Sequence, residues 1–106
     1  MLLLNIDYIP GKKIEPLGLV KGSVVQSKHF GKDFMAGMKT LVGGEIVGYT
    51  EMLAEARQIA TERLESDARS LGADAVLNVR YTSSAVMQGA AEVTAYGTAV
   101  RILGDG

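Results

Sequence analysis

The longest regular pattern of apolar positions in the chain lies between residues 50 and 72. Apolar side chains recur there every three or four residues, which is the spacing of one face of an α-helix. This apolar stripe consists of Leu53, Ala56, Ala60, Leu64, Ala68 and Leu71, widened by Met52 and Ile59. Thr50 is a suitable N-cap, and Gly72 suits the left-handed position after a helix end. The pattern therefore predicts a long helix of about 30 Å from Glu51 to Leu71.

The segment before this helix is rich in glycine. Gly43, Gly44 and Gly48 each disfavour a helix by about 1 kcal/mol relative to alanine, so the segment is predicted to be a loop. A short helix is predicted earlier, over residues 33–42. The apolar side chains on one face of that short helix are Phe34, Met35, Met38, Leu41 and Val42.

The remaining apolar runs are typical of strands. The predicted strands cover residues 2–6, 14–27, 75–82 and 90–103. Pro16 indicates that the second of them is an edge strand or carries a bulge. Residues 83–89 are predicted to form a turn or a bulged connection.

The last predicted strand has two unlike faces. The face of small side chains is expected to lie against the long helix and consists of Ala91, Val93, Ala95, Gly97 and Ala99. The other face carries Tyr96, Val100 and Ile102, which together with Val76 are too apolar for a sheet surface turned to water. We therefore expect a second copy of the chain to cover it.

Composition narrows the class of protein. The 106 residues are expected to form one domain, residues 1–106, and the absence of cysteine excludes disulfides and thiolate chemistry. The net charge of −1 argues against a nucleic-acid partner. The apolar start is too short to be a signal peptide, and no segment could span a membrane, so a cytoplasmic protein is expected.

Several short motifs occur in a fixed order along the chain. They are Gly31-Lys32-Asp33-Phe34-Met35-Ala36-Gly37, Leu41-Val42-Gly43-Gly44, Gly48-Tyr49, Glu55-Ala56-Arg57, Leu71-Gly72-Ala73-Asp74-Ala75-Val76 and Gly97-Thr98-Ala99-Val100. In this combination, over nearly the whole chain, the sequence resembles the YbjQ-like family, small prokaryotic proteins to which heavy-metal binding is attributed.

The resemblance implies a fold and an assembly. The implied protomer is a two-layer α+β domain similar to the dodecin subunit, with an antiparallel sheet packed on one long helix plus a short helix. The implied assembly is a ring-shaped homopentamer. We expect this oligomer to be a binding or scaffold module. The resemblance implies no reaction mechanism, and its motif residues are mostly packing residues.

A transition-metal ion is the one cofactor that the residues suggest. His29 is the single histidine, and imidazole is a common ligand of such ions. One chain offers too few ligands for a closed site, so metal binding would require a ring that gathers one His29 from each copy. The alternative is a surface histidine between lysines.

Two other features have both a functional and a structural interpretation. Met35, Met38 and Met52 could bind Cu(I) through their thioethers, but at helical spacing methionine is usually core. The glycines before the long helix could present N–H groups to an anion, but they match neither the dinucleotide fingerprint nor the P-loop.

Polar side chains near the predicted helix and strands are candidates for a ligand site or an interface. They are Tyr49, Glu55, Arg57, Arg80, Gln88, Glu92 and Tyr96. Arg57 could pair with Glu92 or Glu45 across a subunit boundary. The alternative is a polar pocket between subunits that binds a small molecule or an anion. Since no nucleophile–base pair is visible, we expect no enzymatic activity.

Overall fold

The structure is a computed structural model that describes residues 1–27 and 42–105, without the side chains of residues 42–47. Its elements in chain order are β1 (Leu2–Leu3), β2 (Lys12–Ser27), α1 (Val42–Ser70), β3 (Ala75–Met87) and β4 (Ala90–Asp105). The short helix predicted over residues 33–42 lies outside the described residues, apart from Val42, which begins α1.

The four strands form one sheet in the order β1-β3-β4-β2, with α1 on one face. β2 and β3 both run antiparallel to β4, but β1 runs parallel to β3. The sheet is therefore mixed, and the prediction of an antiparallel sheet was wrong for β1. A strand of two residues carries no alternation from which its direction could be predicted.

The long helix is confirmed, but it begins earlier than predicted. It starts at Val42, so Thr50 is not its N-cap and the glycines at 43, 44 and 48 are helical instead of forming a loop. Extending an existing helix adds one hydrogen bond per residue, and this outweighs the cost of a few glycines.

The end of α1 follows the prediction. The Gly72 N–H donates to the Arg69 carbonyl at 2.9 Å, and the Ala73 N–H donates to the Ala68 carbonyl at 3.1 Å. Gly72 has a φ of 79°, the left-handed conformation that this pair of bonds requires.

The main core lies between α1 and the sheet. Ala56, Ala60, Leu64 and Ala68 of the apolar stripe are fully buried, whereas Leu71, beyond the helix end, is exposed. Buried side chains of the sheet meet this stripe, namely Val20, Val24, Val76, Val93, Ala95 and Ala99. The small residues of β4 therefore face the helix as predicted.

The glycine that brings the helix close to the sheet is Gly22 of β2. A Cβ atom placed on Gly22 would lie 2.3 Å from the Ala60 carbonyl oxygen and 2.3 Å from the Leu64 nitrogen. Gly97 lies on the helix side as expected, beside Val76 and Val79 of the same core. The atoms nearest to its Cβ position belong to β3 instead of α1, with the Leu77 carbonyl oxygen at 2.7 Å.

A second, smaller core covers part of the opposite face of the sheet. Val100, Leu77 and Ala75 are buried there by Ile9, which lies in the segment that joins β1 to β2. The prediction that Val100 lies on a face needing a second copy was therefore wrong, since the chain's own N-terminal segment buries it. Val76 was also misplaced, because it packs on the helix side. We call the sheet surface turned away from α1 the far face.

The hairpin between β3 and β4 is longer than predicted. Residues 83–87 continue β3, and only Gln88 and Gly89 form the turn. Gly89 has a φ of 78°, as two-residue hairpin turns commonly require. β2, β3, β4 and α1 are all long, and the molecule measures 58 × 22 × 17 Å.

Candidate functional site

A bulge in β3 decides which side chains reach the far face. Leu77 pairs with Thr98, but the next pair joins Arg80 to Tyr96, so that Asn78 and Val79 together lie opposite Gly97. Asn78 has a φ of 54°, the left-handed conformation that asparagine tolerates better than most residues. One extra residue reverses the alternation of a strand, which places Arg80 beside Tyr96 on the far face.

The N-terminal segment holds this bulge in place. The Asn78 N–H donates to the Ile6 carbonyl at 3.0 Å, and the Val79 N–H donates to the Leu4 carbonyl at 2.9 Å. Both N–H groups of the bulge thus find partners in the segment after β1. The same segment carries Asp7 to the edge of the far face.

These elements border an open cleft of about 460 Å³ on the far face. Its lining residues are Asp7, Leu19, Asn78, Arg80, Tyr96, Gly97 and Thr98. The volume falls within the range of small-molecule sites, about 300–1,000 Å³. We call this the far-face cleft. It combines one acidic, one basic and three uncharged polar side chains with one large apolar side chain.

A second hollow, of about 570 Å³, lies between the outer edge of β2 and α1. Its main charged groups are engaged by the backbone, because Asp67 accepts a hydrogen bond from the Lys21 N–H at 3.1 Å and Arg63 donates to the Ser23 carbonyl at 2.6 Å. These contacts cap backbone groups on the β2 edge, where another strand could otherwise pair. Pro16, which has no N–H, and a bulge between Pro16 and Gly18 protect the same edge further along.

The outer edge of β3 lacks such protection. Beyond Val79, no strand in the described part of the chain pairs with it, and all of residues 80–87 are exposed. The large apolar side chains among them are Tyr81, Val86 and Met87, with exposures of 45%, 53% and 65%. Tyr81 also contacts α1, with its hydroxyl 2.7 Å from that of Thr61. We call residues 80–87 the β3 edge.

The structure brings together two of the predicted site residues, Arg80 and Tyr96, in the far-face cleft. His29, Met35 and Met38 lie outside the described residues, so the metal predictions that involve them stay predictions. Met52 is 7% exposed and belongs to the core, in agreement with the structural interpretation.

The other candidates lie apart from the cleft. Glu55 and Arg57 are exposed on α1, Tyr49 is half-buried in the same helix, and Gln88 is in the exposed hairpin turn. Glu92 is exposed on the far face, so a contact between it and Arg57 would require two copies of the chain. That pairing stays a prediction.

The lining residues that the sequence did not predict are Asp7, Leu19, Asn78, Gly97 and Thr98. One signal was available for the bulge, because asparagine is rare inside strands and common in the left-handed conformation. Asp7 could not have been assigned, since its place depends on how the N-terminal segment crosses the sheet.

Two kinds of feature are missing from the part of the chain that the structure describes. Among residues 1–27 and 42–105, no three histidine, aspartate or glutamate side chains come together as metal ligands would. Within the same ranges, no helix has the length and apolar character needed to cross a membrane.

Fold and cleft define a small two-layer α+β protein with one long helix on a mixed four-stranded sheet and a polar cleft on the other face. The family model described as "Putative heavy-metal-binding" matches residues 1–103. The chain therefore belongs to the YbjQ-like family, as its motifs predicted.

Relatives in several bacteria match along their whole length. A UPF0145 protein of Clostridium novyi is 64% identical over 97% of this chain and 100% of its own, and one of Alkaliphilus metalliredigens is 57% identical with the same coverage. A crystal structure of a DUF74-family protein of unknown function from Pediococcus pentosaceus has a TM-score of 0.61. It is 17% identical and covers 96% of this chain and 97% of its own, which supports the fold alone.

Proposed function

We propose that this protein is a self-associating binding module in which copies of the chain join through the β3 edge. The observation that carries the proposal is the contrast between the two outer strands. Side chains of α1 cap the backbone of β2, whereas among residues 1–27 and 42–105 no strand pairs with the β3 edge, and its apolar side chains are exposed. Native proteins seldom leave a long strand edge uncovered, because it is a template for pairing with another chain.

The length of the β3 edge supports the same proposal. At about 3.3 Å per residue, the β3 edge is on the order of 26 Å long, comparable with an entire ordinary strand. An exposed apolar side chain also occurs on β2 at the opposite side of the sheet, where Val25 is 58% exposed. A contact between the β3 edge of one copy and the β2 side of the next would bury Val25 together with the apolar side chains of the β3 edge.

Such a contact joins two different surfaces, so it repeats head to tail and can close into a ring. Five copies is the number that the family resemblance implied. If the β3 edge instead paired with itself in a second copy, the contact would be two-fold and would produce a dimer. The mass of the assembly therefore distinguishes the two arrangements.

A charge placed on the β3 edge tests this surface. Met87→Lys puts a cation into the proposed contact, and we expect the assembly to dissociate to smaller species that keep the native circular dichroism spectrum. The matched control is Leu103→Lys, since Leu103 is 59% exposed but lies outside the β3 edge. Sedimentation velocity of the two variants at the same concentration measures the effect. If Met87→Lys and the parent had the same sedimentation coefficient, the β3 edge would not be the interface between copies.

Small-molecule binding is a second candidate function, favoured by the far-face cleft. The alternative interpretation of the sequence placed a polar pocket for a small molecule or an anion between subunits. The far-face cleft offers such a polar site on the surface of the protomer. Arg80 provides its positive charge and Tyr96 and Thr98 provide hydroxyl groups.

Heavy-metal binding is the activity named in the family description, and here it would depend on His29. A tight site would need several copies to bring their His29 side chains together, as the sequence indicated. We therefore propose a small molecule as the ligand ahead of a metal ion, and binding ahead of catalysis.

A further inference from the structure

Several polar groups in the far-face cleft have unused hydrogen-bonding capacity. Within residues 1–27 and 42–105, the Tyr96 hydroxyl, the Thr98 hydroxyl and the Asp7 carboxylate form no hydrogen bond or ion pair with one another or with other side chains. Tyr96 and Thr98 are half-buried, whereas Asp7 is exposed. Polar side chains that converge on one hollow without bonding to each other are typical of a ligand site.

Arg80 is the strongest binding group in this cleft. Its guanidinium makes one long hydrogen bond, 3.5 Å to the Asn78 carbonyl, and it is absent from the ion pairs of the described chain. A guanidinium presents its N–H groups as a fork that matches the two oxygens of a carboxylate. The bulge at Asn78 places this fork on the far face, and bulges frequently direct a side chain toward a site in this way.

The opposite charge and the apolar wall restrict the ligand further. Asp7 would repel a ligand with several negative charges, but it would attract an ammonium group. Leu19 is 72% exposed and offers a surface on which an aliphatic side chain can pack. A ligand that uses all three features carries a carboxylate, an ammonium group and an apolar group.

We propose that the far-face cleft binds a small zwitterion of the α-amino acid class with an aliphatic side chain. Arg80 binds the carboxylate, Asp7 binds the ammonium group, and Leu19 contacts the side chain. The hydroxyl groups of Tyr96 and Thr98 complete the contacts to the polar end. This inference rests on the small-molecule function proposed above.

The test uses the full-length protein and four probes. L-Leucine carries all three groups, 4-methylpentanoate lacks the ammonium group, 3-methylbutylamine lacks the carboxylate, and inorganic phosphate tests for general anion binding. Titrations followed by amide chemical shifts measure each dissociation constant. We expect saturable binding of L-leucine, with shifts at the cleft residues, and binding of each other probe that is at least tenfold weaker.

Variants identify the groups responsible. Arg80→Gln should weaken L-leucine binding at least tenfold, and Asp7→Asn should abolish the preference for L-leucine over 4-methylpentanoate. Arg57→Gln is the matched control, because Arg57 is an exposed arginine on α1 away from the cleft. Should Arg80→Gln perturb the bulge and the fold, Tyr96→Phe removes a single hydroxyl and should still weaken binding several-fold.

The outcomes separate this inference from the function on which it rests. If phosphate or 4-methylpentanoate binds as tightly as L-leucine, the assignment of the ligand as a zwitterion is wrong. The proposal that the cleft binds a small anion would then still hold. If none of the probes shows saturable binding, both the inference and the small-molecule function are wrong. If L-leucine binds equally well to the parent and to both Arg80→Gln and Tyr96→Phe, the cleft is not its site.

Discussion

Replacing Gly22 by alanine tests whether α1 and β2 are in direct backbone contact. The added Cβ atom would lie 2.3 Å from the Ala60 carbonyl oxygen and the Leu64 nitrogen, and 2.7 Å from the Arg63 carbonyl carbon. All three are backbone atoms inside a helix, so no side-chain rotation can relieve the overlap. The helix must move away by about 1 Å to restore ordinary contact.

That displacement sets the size of the effect. A gap of 0.5–1 Å forfeits about a quarter to a half of the dispersion energy along the contact, and overpacking commonly costs 1–3 kcal/mol. The buried stripe around Ala60 and Leu64 would loosen together with the contact. We therefore expect Gly22→Ala to lower the free energy of unfolding by about 3 kcal/mol. If the strand had space for the added methyl group, the same replacement of glycine by alanine should stabilise the protein by about 0.5–1 kcal/mol. The sign of the change in unfolding free energy therefore shows whether α1 lies in direct contact with Gly22.

Urea unfolding followed by circular dichroism measures this change. With an m-value of about 1–1.5 kcal/mol/M, a loss of 3 kcal/mol lowers the midpoint by about 2–3 M. All variants must be compared at one chain concentration, because self-association adds to apparent stability. Lys21→Ala, at an exposed neighbouring position, should stay within about 0.5 kcal/mol of the parent. Unchanged or increased stability of Gly22→Ala would refute the close approach of α1 to β2.

Two further predictions concern packing and metal binding. Gly97→Leu should cost on the order of 2 kcal/mol or more, because its side chain would meet the Leu77 carbonyl oxygen and Val76 of β3; a urea midpoint equal to that of the parent would disprove this packing. Calorimetry at neutral pH should detect no tight site for Zn²⁺, Cu²⁺ or Ni²⁺ in the parent, and a sub-micromolar isotherm that is lost in His29→Ala would contradict that expectation.

The main helix and the last strand could be predicted because their patterns are local. The stripe from Ala56 to Ala68 repeats at helical spacing, and the small residues of β4 alternate without interruption. Both patterns report burial against a single neighbouring layer. The start of α1 was not predicted because its glycines have low helix propensity. They are helical because extending the existing helix adds hydrogen bonds that outweigh this cost.

The far face could not be predicted from local patterns. The bulge at Asn78 reverses the alternation of β3, so Arg80 lies on the far face and Val79 on the helix side. The burial of Val100 depends on Ile9, which lies far away in sequence and approaches only because β1 and β2 occupy opposite edges of the sheet. A site formed by such long-range contacts leaves little trace in sequence spacing.

The proposal that the chain associates with itself is tested most directly by the mass of the parent protein in solution. Size-exclusion chromatography with multi-angle light scattering at micromolar concentration gives this mass without reference to shape, which matters for a protomer 58 Å long. We expect about five times the chain mass of 11.2 kDa. A mass of twice that of the chain would indicate two-fold pairing at the β3 edge instead of a ring. A well-folded monomer of 11.2 kDa would contradict self-association altogether.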